Sequence, residues 1–124
     1  MKKIILACVM ATSAASAFAE WTHLGDASVG GFYVDFGTIR KDGDLRKVWS
    51  VLNFKQRDIS GAMSAQFRTE FDCKDERKRM IAFSRHSEAM AFGVTLDSNP
   101  SPEPWSAIPP ESLSEETLKI VCAK

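Results

Sequence analysis

Three kinds of residue in this chain have side-chain chemistry suited to catalysis: histidines, a pair of acids and a set of cysteines. Nucleophilic or acid–base catalysis needs a positioned base, most often histidine. Only His23 and His86 are present. His23 lies near the start of the expected mature chain, where ends fray. His86 sits beside Arg85 on an expected strand. No Gly-x-Ser-x-Gly elbow, His-Glu-x-x-His helix or phosphate-cradling glycine loop occurs. Glu70 and Asp72 are two carboxylates on one strand parity, which is the raw material of general acid–base work. They alternate with Ser64, Gln66 and Arg68, so they are read as a solvated strand face. Two cysteines, Cys73 and Cys122, with two distant histidines match no zinc-ligand spacing. The reading is therefore of a non-enzyme without metal or cofactor, and an unrecognised hydrolase is the least favoured alternative.

A fourth group has chemistry for binding. Lys74-Asp75-Glu76-Arg77-Lys78-Arg79 holds four cations in six residues, with Arg68 shortly before. Such a cluster attracts an acidic protein patch or a sulfated glycan, in a salt-dependent way. The candidate partner-binding residues are thus Arg68, Lys74, Arg77, Lys78 and Arg79. The arginines rank first, because a guanidinium fork matches carboxylate and sulfate geometry. The plain alternative is a solvated hairpin turn. Over the whole chain, 16 basic and 16 acidic residues cancel. That excludes a general nucleic-acid binder, whose phosphate contacts require a basic excess. No apolar run approaches the ~20 residues that span a bilayer.

The chain's first segment sets its chemical surroundings. Residues 1–19 read MKKIILACVMATSAASAFA. A short positive region, an apolar stretch and a terminal Ala-x-Ala follow in the order of a secretory signal peptide. Cleavage after Ala19 is expected, with lipidation at Cys8 as the alternative. The mature domain, 20–124, then keeps 14 basic and 16 acidic residues, a net charge of −2. It is expected in the periplasm or at the cell surface. In an oxidising compartment the even pair Cys73 and Cys122 reads as one disulfide, against two free buried thiols.

The elements that must position these residues are mostly strands. Ser64 to Asp72 alternates strictly, with Ala65, Phe67, Thr69, Phe71 and then Cys73 on the core side. Leu45 to Phe54 is apolar on both parities, as in a central strand covered on both faces. Gly31 to Asp35 and Arg79 to Ser87 add two more strands, with Lys74 to Lys78 as a turn. Asp42-Gly43 reads as a hairpin turn. Trp21 to Leu24 is a possible edge, and Phe92, Val94 and Leu96 make a last short strand. Asp97 to Pro104 reads as a surface loop, since three prolines remove donors and fix φ. Ser112-x-x-Glu115 then opens a helix of about 11 residues whose apolar face holds Leu118, Val121 and Cys122. The expected fold is α+β: an antiparallel sheet of five or six strands, with a C-terminal helix disulfide-tethered to one face.

Several landmarks in order carry a resemblance. They are Phe32-Tyr33-Val34-Asp35 with Thr38-Ile39, Val48-Trp49, Glu70-Phe71-Asp72-Cys73, Phe92-Gly93, and Trp105 with Ile108-Pro109 before Ile120-Val121-Cys122. Together they make the mature chain resemble the surface-adhesin protein E family of small exported bacterial proteins. The resemblance implies an antiparallel sheet with a disulfide-tethered C-terminal helix. It also implies attachment to host extracellular-matrix proteins. The expected function is an exported, non-catalytic, adhesin-like binding module of the cell envelope, monomeric or weakly dimeric. The alternative is a periplasmic small-ligand or inhibitor-type module.

Overall fold

The computed structural model describes residues 19–123. The expected leader, Cys8 included, thus lies outside the described residues except for Ala19, as does Lys124.

Four long strands make an antiparallel meander: β2 (Gly30–Asp42), β3 (Leu45–Phe54), β4 (Ser64–Asp72) and β5 (Arg77–His86). β1 (Thr22–Ala27) pairs with β2 at one edge. At the other edge β6 (Thr95–Asn99) and the two-residue β7 (Ser106–Ala107) both pair with β5. The order is β1-β2-β3-β4-β5-β6, with β7 off this path. The β2–β3 and β4–β5 connections are two and four residues long, whereas the β3–β4 connection, 55–63, has nine. The Asp42-Gly43 turn forms as expected, with Gly43 at φ 57°, a conformation that glycine adopts without strain. Gly30 has a different reason to be glycine. A Cβ there would lie 1.8 Å from the carbonyl oxygen of Asn53 on β3.

Pairing sorts the side chains into two faces, since directly opposed residues point the same way. Val48 opposes Thr69, which opposes Met80, and Phe71 opposes Lys78. The helix α1 (Leu113–Ala123) covers this inner face. Leu118 and Val121 bury against Val34, Val48 and Phe71, with Leu24, Phe36 and Ile108 around them. The amide of Glu115 donates to Ser112 Oγ at 3.1 Å, which caps the helix start. Glu115 also pairs with Lys119 one turn on, at 3.1 Å. Cys73, just after β4, is bonded to Cys122 on α1, with the Cα atoms 5.7 Å apart.

The other face carries Trp49, Val51, Gln66, Arg68, Glu70, Arg79 and Ser84. Val51 is fully buried there, so β3 is covered on both sides, as its two apolar parities require. The cover is a short turn, Ala89–Ala91, whose amides donate to Asn53 Oδ1 (Met90, 3.0 Å) and Ser64 Oγ (Ala91, 2.9 Å).

Two local expectations fail. Phe92 and Val94 lie outside the last strand and are about two-thirds exposed. Met90, Ala91 and Gly93 all have positive φ, which folds this stretch into a tight turn closed by Glu88 N–H to Phe92 O. Strand β6 instead runs into the expected loop as far as Asn99. Asp97, Ser98 and Asn99 still have donors and pair with Arg85, Ser84 and Phe83. Pro100 then ends the strand.

Candidate functional site

The outer face of β3, β4 and β5 gathers most of the chain's expected binding residues. Three cross-strand rows build it. Trp49, Arg68 and Ala82 form the first row, Lys47, Glu70 and Arg79 the second. Asp72 opposite Arg77 begins the third. Trp105, just ahead of β7, is laid over the last two rows by the pairing of Ser106 and Ala107 with Lys78 and Arg77.

Glu70 and Asp72 are not a solvated face. Both are buried, at 3% and 5% exposure. Arg79 donates to Glu70 Oε1 from Nε at 2.8 Å and lies 2.7 Å from it through Nη2. Arg77 Nε donates to Asp72 Oδ2 at 3.0 Å. Both guanidinium groups stack on Trp105, 4.7 Å and 4.6 Å from the ring centre. The strand alternation is right, but a long guanidinium on the neighbouring strand and an indole cover the acids. A buried carboxylate needs such a partner. Asp72 also accepts the amides of Lys74 (3.0 Å) and Asp75 (3.2 Å), which shapes the turn between β4 and β5. The Asp75 amide is the main cause holding the Asp72 carboxyl below the usual range, with Arg77 adding to it against the opposing effect of burial.

The cation cluster therefore separates into parts. Arg77 and Arg79 are neutralised within the protein. Lys74 is exposed at the turn. Lys78 points to the inner face, where it donates to Ser114 Oγ at 2.5 Å. Arg68 differs from all of these. Its guanidinium lies 5.7 Å from the Trp49 ring centre. Among the described residues it has no carboxylate partner within 4.0 Å, and its Nε is buried with no hydrogen-bond partner. Arg68 is thus a pre-positioned, half-buried guanidinium on an aromatic shelf, with donors to spare. Trp49 and Trp105 were not among the expected site residues. Trp49 alternates with Val48 in the sequence and reads as core, and no local signal links Trp105 to residues some 26 positions earlier.

The histidines stay apart from this face's cations. His23 contacts Asp26 Oδ1 at 2.9 Å and its ring lies 4.9 Å from that of Tyr33. His86 is buried beside Ser84 Oγ at 2.8 Å, and burial lowers its pKa. No group of three or more His, Cys, Asp or Glu suited to a metal ion occurs among the described residues. Nor is any described helix long and apolar enough to cross a membrane.

Fold and site together define a small α+β domain: one antiparallel sheet, a helix disulfide-bonded across its inner face and an arginine–tryptophan array on its outer one. The chain belongs to the surface-adhesin protein E family, whose profile matches residues 21–123. The crystal structure of protein E from non-typeable Haemophilus influenzae superposes with a TM-score of 0.67 at 14% identity, over 88% of this chain and 79% of that one. The selenomethionine form of Haemophilus influenzae protein E gives 0.64 at 15% identity, over 74% and 78%. These likenesses establish the shared fold. No curated protein matches the chain significantly.

Proposed function

We propose that the chain is an exported, non-catalytic binding module of the bacterial cell envelope, adhesin-like in action. In this reading the leader is removed after Ala19 and the domain works in the periplasm or at the surface, as a monomer or weak dimer. Its outer sheet face engages an acidic macromolecule, a matrix protein or a sulfated glycan. The observation that carries this is Arg68: a guanidinium held on Trp49, with a buried Nε that has no acceptor among the described residues. Leaving a buried donor unsatisfied costs about 1–3 kcal/mol; that Nε is closed to solvent, so a carboxylate or sulfate oxygen would be taken by the terminal amino groups of the guanidinium. Arginine and tryptophan are also the residues that dominate protein interfaces. Arg77 and Arg79 frame the face rather than supply free donors, because Asp72 and Glu70 already hold them.

The test is solid-phase binding to heparin and to vitronectin, at low and physiological salt, by wild type, Arg68→Gln and Lys74→Ala. Wild-type binding should weaken with salt. Arg68→Gln should lose most of it while unfolding at the same temperature or higher, since it removes an unsatisfied donor. Lys74→Ala should lose little. Equal binding by wild type and Arg68→Gln, or none by wild type, would refute the reading.

A further inference from the structure

The inner face holds a second feature, separate from the outer array. Helix α1 covers only part of the sheet. Beside its first turn, a cleft of about 360 Å³ remains between α1 and the β3–β5 surface. That volume lies in the range of small-molecule sites, ~300–1,000 Å³. Its floor is apolar, made by Phe32, Leu52, Phe67 and Met80. Two cationic residues line it, and of these the Arg79 guanidinium is held by Glu70 and Trp105. Lys78, opposite Phe71 on the inner face, lines the cleft along with Ser114 at the start of α1.

Lys78 is placed unlike the paired cations of the chain. Arg77, Arg79, Arg85 and Lys119 each face a carboxylate within 4.0 Å. Lys78 has no such partner among the described residues, and its one hydrogen bond goes to Ser114 Oγ. An ammonium has three donors, so two remain. Its surroundings are partly desolvated, which lowers its pKa, while the negative charge of Glu103 at the rim raises it. A half-buried cation over an apolar floor matches a ligand of opposite charge and similar polarity: an anionic head joined to an apolar body.

We propose that this cleft binds a small monocarboxylic acid with an apolar tail, its carboxylate on Lys78 Nζ and Ser114 and its body along Phe32, Leu52, Phe67 and Met80. Charge complementarity selects the acid over a neutral lipid alcohol. Glu103 at the rim disfavours di- and polyanions. The site is independent of the outer-face reading, because the two lie on opposite sides of the sheet.

The experiment is a titration of the folded, oxidised domain with decanoate, 4-phenylbutyrate and decanol, below their aggregation limits. Amide chemical shifts and calorimetry are followed together. Decanoate should bind saturably, one per chain, with shifts concentrated at the cleft residues and near Ser114. Lys78→Met keeps the apolar stem and should weaken decanoate about tenfold or more, the scale of one charge-assisted hydrogen bond, while changing decanol less than about twofold. Phenylbutyrate tells whether an aryl or an alkyl body fits better, and binding of either acid at the cleft supports the proposal. A second variant, Thr69→Phe, fills the floor and should abolish binding of both acids. Saturable shifts elsewhere, no saturable binding of either acid, or equal decanoate affinity in wild type and folded Lys78→Met would overturn it.

Discussion

Replacing both bridged cysteines, Cys73→Ser with Cys122→Ser, removes the disulfide cross-link between sheet and helix without leaving a reactive thiol. The magnitude follows from the chain. The bridge joins residues 49 positions apart, and closing a loop of that length constrains the unfolded ensemble by ~4 kcal/mol. For a domain of this size each kcal/mol moves the melting temperature by about 4–8 °C, so a drop of roughly 15–30 °C is expected. The loss should not be uniform. An isolated helix as short as α1, at 11 residues, is marginal in water. Without the bridge only Leu118, Val121 and their neighbours hold it down. Urea unfolding of the oxidised protein, the reduced protein and the double variant gives the total. Amide exchange gives its distribution, and α1 should lose protection before β3 and β4 do. A loss under about 1 kcal/mol, far below the loop-closure figure, would refute the reasoning. So would sheet amides opening before those of the helix.

Other outcomes follow from single contacts. Asp72 titrates below its ordinary value in the folded protein. Its contribution is therefore complete above the unfolded value, near pH 4, and is lost as pH falls through the folded one. Urea unfolding at stepped pH should show wild type more stable than Asp72→Asn at pH 7, with the difference shrinking below about pH 4. Ser112→Ala removes the hydroxyl that accepts the Glu115 amide and should cost about 1 kcal/mol in chemical denaturation.

Much of this architecture is legible in the residues, and the parts that are not share a physical cause. Period-two alternation from Ser64 to Asp72 reports which side chains face together, and it correctly turns Cys73 toward the helix. The capping serine marks the helix start to the residue. Alternation does not report what covers a face. Glu70 and Asp72 fall on the polar parity and are nevertheless buried, because arginines from β5 and the indole of Trp105 close over them. The same limit hides the candidate site. The six-residue cation cluster reads as one patch, yet pleating sends Lys78 to the inner face and leaves Arg77 and Arg79 on the outer one. Arg68, apart in sequence from the cluster, stacks on Trp49 with no carboxylate among the described residues, whereas Arg77 and Arg79 are paired. Its distinction depends on which side chains lie opposite it, a property of strand register and not of local composition.

The central claim is that Arg68 and Trp49 form the contact point for an acidic partner. Its most direct measurement is a titration of the domain with a defined heparin hexasaccharide at low salt, following the indole Nε1–H and arginine Nε–H resonances. The largest shifts are expected at Trp49 and Arg68, with smaller ones at Trp105, all reversed by salt. Shifts confined to Lys74 and the turn after Cys73, with the Trp49 and Arg68 signals unmoved, would contradict the claim.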